Sequence, residues 1–183
     1  HDGDADRVLF VDSEGNEIDG DYILAICGSD LAARGKLANS EIVSTVMCNL
    51  GFSIAMKEQG FEMVQTAVGD RYVLERMLAD GAVIGGEGNG GVIYPELHYG
   101  RDALVGTALF LTWLAKKGMT MTRLRATYPS YYASKNKIEL TPAIDVDKVL
   151  REVKERYAGE NMNDIDGAKI DFAENWVCLL YTS

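Results

Sequence analysis

Between residues 20 and 117 the chain alternates between two hydrophobic periods, its segments punctuated mainly by glycine, and this rhythm restricts the fold more than any other feature. Asp19 or Asp21 can cap a helix that runs to about Arg34, with Ile23, Leu24, Ile26, Cys27 and Leu31 on its apolar face and Gly35 as a stop. Residues 42–47 read as a strand, 52–59 as a short helix, 61–66 as a strand and 71–79 as a helix starting near Asp70. A third strand is expected over 82–84 and a fourth over 92–94, which Pro95 closes. The longest helix is expected over 101–117, with Leu104, Ala108, Leu111, Leu114 and Ala115 on one face and Gly118 at its end. The order β-α-β-α-β-β-α predicts an α/β domain, a mixed sheet with helices packed against it.

The segments on either side differ in texture. Val8-Leu9-Phe10-Val11 is a continuous apolar run closed by Asp12 and the turn pair Gly15-Asn16, and it reads as a buried strand. After Tyr128-Pro129, aromatic and basic residues mix at Tyr131, Tyr132, Lys135 and Lys137, and a domain boundary is expected over 129–134. A strand is then expected over 138–140 and a charged amphipathic helix from Asp145 or Asp147 to about Tyr157. A polar stretch over 159–166 precedes a strand over 168–172.

Composition narrows the function classes. A chain of 183 residues, 47% hydrophobic and 25% charged, can bury one ordinary core or two small ones. No segment reads as a bilayer span or a secretory leader. Cys27, Cys48 and Cys178 are widely spaced and odd in number, which argues against a disulfide framework or a zinc site. The chain therefore reads as cytoplasmic. Its net charge of −10 disfavours nucleic acid and anionic membranes as partners. Local cations beside a bound metal still permit a phosphorylated substrate.

Two stretches carry chemistry. In Asp2-Gly3-Asp4-Ala5-Asp6-Arg7, three carboxylates stand at alternate positions between the two smallest residue types, so all three can converge on one hard cation. The geometry suits Mg²⁺, which keeps open positions for water or phosphate oxygens. A calcium hand fails, because Arg7 stands where the sharp turn needs glycine and Ser13 where the bidentate glutamate belongs. A solvated acidic loop is the plain alternative. Arg7 is placed to meet phosphate oxygens with its fork, or to close the acidic loop by a salt bridge. The second stretch is Gly85-Gly86-Glu87-Gly88-Asn89-Gly90-Gly91. It has neither the spacing of a dinucleotide site nor the Lys-Ser/Thr of a nucleotide phosphate loop. Five glycines permit close backbone approach, while Glu87 and Asn89 offer the acceptors and donors that hold a neutral polyol. A flexible turn between strands is the alternative. His98 reads as structural, Asp102 as a helix start, and Arg101 is left open between the helix start and a ligand.

The ordered run of Asp2–Arg7, Thr45-Val46-Met47-Cys48-Asn49-Leu50-Gly51, Thr66-Ala67-Val68-Gly69-Asp70-Arg71-Tyr72-Val73 and the glycine-dense loop resembles the α-D-phosphohexomutases, most closely the branch acting on glucosamine phosphate. The resemblance reaches from Asp2 to about Val177. It implies an enzyme that moves a phosphate between O6 and O1 of a hexose, with Mg²⁺ on Asp2, Asp4 and Asp6, Arg7 catalytic, and Glu87 and Asn89 on the sugar hydroxyls. Arg71 is implied as a minor phosphate contact. Many members carry serine at the position of Asn89 and histidine at that of Gly91, so the sugar itself is left open among glucosamine, mannose and glucose phosphates, beside a non-catalytic metal- or sugar-binding module.

The same resemblance divides the chain into residues 1–19, the tail of a second domain with the metal loop; 20–130, a sugar-binding third domain; and 131–183, a truncated fourth domain. It implies a phosphorylated serine on an upstream domain and a bisphosphorylated sugar intermediate, so this chain alone is expected to be inactive. Ile170-Asp171-Phe172 and Trp176-Val177 resemble last-domain strands, and residues 178–183 depart from the family pattern and are expected to be foreign sequence.

Overall fold

The computed structural model describes residues 1–142 and 144–181, so Thr182 and Ser183, the end of the stretch expected to be foreign, lie outside the described residues. It divides into two compact units, His1–Ser130 and Tyr131–Ser183.

The first unit opens with an acidic turn, followed by a two-stranded antiparallel hairpin of β1 (Phe10–Val11) and β2 (Glu17–Ile18). The apolar run was expected to be buried throughout. Instead Val8 is buried while Leu9 and Val11 are exposed, because a hairpin covered on one face hides only alternate side chains. Phe10 turns inward, and the Asp12 carboxylate closes the hairpin by accepting the backbone amides of Glu14 and Asn16, both at 2.9 Å.

Helix α1 (Gly20–Ala33) starts at Asp19, whose Oδ1 accepts the Asp21 amide at 2.9 Å. It is buried on nearly every side. Gly28 makes this possible, since a Cβ there would collide with the Ile42 side chain from the sheet below. After a short 3₁₀ turn at Ala38–Ser40 come β3 (Glu41–Thr45), α2 (Leu50–Glu58), β4 (Glu62–Thr66) and α3 (Asp70–Asp80). Asn49 caps α2 by accepting the Phe52 amide at 3.0 Å. Then follow β5 (Gly85–Gly86), β6 (Val92–Tyr94), β7 (His98–Arg101), α4 (Ala103–Lys117) and α5 (Met121–Arg125). The sheet order is β4-β3-β5-β6-β7, parallel through its first three strands and antiparallel beyond. The expected mixed sheet with helices packed against it is what the chain forms.

Several local expectations are corrected. The third strand lies at β5 rather than over 82–84, because its parallel ladder to β3 is confined to the pair Val43 and Gly85. Strand β7 was not anticipated. On α4, Leu104 and Leu111 point outward at 67% and 46% exposure, and the buried face is Ala103, Gly106, Leu109 and Phe110. The helix is apolar nearly all round, so periodicity could not choose the face; packing of α4 on α1 does.

In the second unit, α6 (Val146–Arg156) is capped by Asp145, which accepts the Lys148 amide at 3.0 Å. Strands β8 (Asn161–Asn163), β9 (Ala168–Asp171) and β10 (Trp176–Leu179) form an antiparallel sheet in the order β10-β9-β8, with α6 against β9. Tyr157 and Phe172 meet edge to face at 6.0 Å. Residues 138–140 form no strand and are exposed, since the short run finds no partner edge. The polar stretch over 159–166 contains β8. Among the described residues, no helix is long and apolar enough to cross a membrane.

Candidate functional site

The acidic residues converge through a turn, not through simple alternation. The Ala5 amide donates to Asp2 O and the Asp2 amide to Arg7 O, both at 3.3 Å, and Ala5 adopts a left-handed conformation with φ 58°. Carboxylate oxygens of Asp2, Asp4 and Asp6 thereby lie within 4.8 Å of one another. All three donors are hard oxygens, and Asp6 Oδ1 is buried without a hydrogen-bond partner. This donor set fits a small divalent cation such as Mg²⁺ and does not suit a thiophilic metal.

Arg7 closes this turn. Its Nε lies 2.6 Å from Asp2 Oδ2 and 3.6 Å from Asp6 Oδ1. The hydrogen bond from Arg7 holds the Asp2 carboxyl down at about 2, so Asp2 stays ionised across the neutral range. The salt-bridge alternative for Arg7 is therefore the arrangement seen, and its half-exposed guanidinium remains accessible to an anion.

Two backbone bonds fix the acidic turn to the rest of the unit. Ala103, at the start of α4, donates to Ala5 O at 3.0 Å, and Val8 donates to Gly90 O at 3.0 Å. The glycine-rich loop thus lies directly beside the acidic turn. Its glycines are explained by the protein's own packing: a Cβ at Gly90 would strike the Val8 backbone, and one at Gly88 would stand 2.9 Å from Asp21 Oδ1. The loop is consequently closely packed against its neighbours, with no room for side chains at these glycines.

Glu87 and Asn89 are brought together. Asn89 Nδ2 donates to Glu87 Oε2 at 3.0 Å, and Asn89 Oδ1 accepts the Gly91 amide at 2.9 Å. Glu87 Oε1 accepts the Gly69 amide at 3.0 Å, which joins the loop to the start of α3. Arg71 is not drawn into this group. Its Nε pairs with Glu75 at 2.8 Å along the same helix, and its side chain is 82% exposed.

Arg101 is the residue that sequence reasoning left undecided. Standing at the end of β7, it pairs through Nη2 with Asp6 Oδ2, through Nε with Asp70 Oδ2 at 3.4 Å and through Nη1 with Glu87 Oε2 at 3.5 Å. One cation thus bridges the acidic turn, the α3 entrance and the glycine-rich loop. Its position next to the helix cap Asp102 was a signal, but its partners come from three separated stretches. His98 serves that cap, with Nε2 2.9 Å from Asp102 Oδ2.

Comparison with known proteins agrees with this fold. Residues 19–131 match the family model described as "Phosphoglucomutase/phosphomannomutase, alpha/beta/alpha domain III". A phosphoglucosamine mutase of Thermoanaerobacter sp. (strain X514) is 45% identical over 159 residues, covering 84% of this chain and 35% of that protein. One from Clostridium botulinum (strain Hall) is 50% identical over 124 residues, covering 67% of this chain and 27% of that protein. The chain thus spans about a third of the length of the curated relatives it matches. Among solved structures, a phosphoglucomutase/phosphomannomutase family protein from Burkholderia thailandensis superposes with a TM-score of 0.77 at 22% identity, over 95% of this chain and 37% of that one. The Aspergillus fumigatus N-acetylphosphoglucosamine mutase in complex with GlcNAc-6P and magnesium superposes with a TM-score of 0.60 at 18% identity, over 96% and 46%. At these identities the two structures speak for the fold.

Proposed function

The chain belongs to the phosphoglucomutase/phosphomannomutase family, and from that premise we propose that it is part of a hexose-phosphate mutase interconverting the 6- and 1-phosphates, with glucosamine phosphate the preferred substrate. The observation that carries this reading is the adjacency of two chemistries. A turn of three convergent carboxylates is tied by Val8 and Gly90 to a loop presenting Glu87 and Asn89. The first suits a divalent cation and the second a polyol. Relatives named phosphoglucosamine mutase favour the amino sugar.

In this mechanism Asp2, Asp4 and Asp6 would hold Mg²⁺, which would supply positive charge for phosphoryl transfer. Arg7, fixed beside them, directs its guanidinium at oxygens of the transferred phosphoryl group. Glu87 accepts hydrogen bonds from sugar hydroxyls, and Asn89 donates and accepts, which orients the ring with one phosphate or the other toward the metal turn. Arg71, freed from Glu75, is a peripheral phosphate contact. The phosphoryl donor is a phosphorylated serine outside this chain, and a bisphosphorylated sugar reorients between the two transfers. On this reading residues 131–183 belong to a further, phosphate-holding domain, the enzyme works in the cytoplasm, and the 183-residue chain by itself does not turn over.

The test is to supply the intact enzyme with Mg²⁺ and glucosamine 6-phosphate and follow the 1-phosphate by ³¹P NMR, with the mannose and glucose phosphates in parallel. Exchange fastest with glucosamine phosphate and abolished by EDTA is expected. Exchange with none of the three sugars, or full turnover in EDTA, overturns the reading.

A further inference from the structure

Resting on that reading of Asp2, Asp4 and Asp6 as a cation site and Glu87 as a sugar contact, we propose that Arg101 is a positioning residue that couples the two loops. Binding of a divalent cation at the acidic turn then changes how the glycine-rich loop presents Glu87. The geometry provides the linkage. Arg101 offers one planar fork to three carboxylates, Nη2 to Asp6, Nε to Asp70 and Nη1 to Glu87. Because the guanidinium is rigid and planar, a change in its hold on one carboxylate alters its geometry toward the others. Asp6 holds Arg101 through Oδ2 while its Oδ1 has no hydrogen-bond partner, so a cation drawn to Oδ1 pulls on the same carboxylate that grips Arg101.

From Glu87 the linkage continues through directed hydrogen bonds. Glu87 Oε1 holds the Gly69 amide, and Glu87 Oε2 holds Asn89, whose Oδ1 holds the Gly91 amide. Arg101 and Glu87 are 23% and 11% exposed, so water screens these contacts less than it would at the surface. Room for the arrangement comes from Gly91, where an added Cβ would stand only 2.5 Å from Arg101 Cδ. The absent side chain at position 91 and the long one at position 101 are two halves of one fit.

The backbone amides of Gly69 and Gly91 report on the coupling directly by ¹H–¹⁵N NMR during titration of the chain with Mg²⁺ alone. In the unaltered protein they are expected to shift with the same Mg²⁺ dependence as the amides of Asp4 and Asp6. In Arg101→Met the acidic-turn amides still respond while the Gly69 and Gly91 shifts fall several-fold. Arg101→Lys, which keeps the charge but loses the fork, gives a partial loss, and Gly91→Ala, which keeps the arginine but displaces it, gives the same loss as Arg101→Met. Gly69 and Gly91 shifts that persist undiminished in Arg101→Met and Gly91→Ala overturn the coupling, as does a wild-type response confined to the acidic turn. No response at the acidic turn refutes the cation reading itself, and the coupling falls with it.

Discussion

The ring of Phe10 stacks on that of Phe110 with centroids 4.0 Å apart and planes 16° from parallel. This single contact fastens the hairpin behind the acidic turn to the middle of α4. Phe110 is fully buried, so truncation leaves a cavity that the rigid helix pair cannot close. Phe110→Ala is expected to cost about 3–5 kcal/mol in urea denaturation. A loss below about 1 kcal/mol would mean that the hairpin does not depend on this packing.

Removing one carboxylate from the acidic turn tests the cation site without reference to turnover. Asp4 is exposed and makes none of the ion pairs that Asp2 and Asp6 make with Arg7, so Asp4→Asn leaves the turn intact. Its Mg²⁺ affinity, read by calorimetry, is expected to fall at least about tenfold, with no change in thermal midpoint in EDTA. If the proposed function holds, the same change in the intact enzyme is expected to abolish nearly all turnover, measured by the ³¹P exchange assay.

Helix α4 is capped by an ionised group. Asp102 Oδ1 accepts the amides of Leu104 at 2.7 Å and Val105 at 2.9 Å. The Val105 amide first, and His98 and Leu104 besides, hold this carboxyl below its ordinary value. A depressed folded-state value means that the stabilisation is present above the ordinary carboxylate range and is lost as pH falls through the depressed one. Asp102→Ala is therefore expected to cost about 1 kcal/mol at pH 7, with the gap narrowing below about pH 4. A gap that is constant down to pH 2 contradicts the charged cap.

Glu41 has the opposite sign. It is buried at the start of β3 with Oε1 unpartnered, and burial first, then the nearby Asp80 charge, pushes its carboxyl up. A raised value favours the folded state while the group is protonated, and that contribution is lost as pH rises through the folded-state value. Glu41→Gln should raise the melting midpoint at pH 7 relative to the parent and lose most of that advantage at about pH 4. Equal midpoints at pH 7 would show that the start of β3 relaxes to hydrate the charge.

Much of the first unit was legible because its signals are local. Asp19 and Asp102 mark helix starts through bonds to amides two or three residues on, and Gly35 and Gly118 mark stops through positive φ. The acidic turn and the glycine-rich loop could likewise be picked out as stretches. What periodicity could not supply was a choice between equivalent faces. Leu104 and Leu111 share a helical face as fully as Leu109 and Phe110 are packed on the other, and only contact with α1 decides between them. Strand β7 was missed because His98-Tyr99-Gly100-Arg101 has no alternating apolar pattern, and it exists by pairing with β6.

By itself the sequence determined the α/β class, the helix boundaries near their caps, and the residue types able to bind a cation and a polyol, since each depends on neighbours within a turn or two. Tertiary structure alone decided that Asp6, Asp70 and Glu87 share one guanidinium and that Arg71 does not join them. Those relations join residues far apart along the chain, where Coulombic attraction acts only after backbone packing has set the distances, and no local pattern encodes a distance between remote segments.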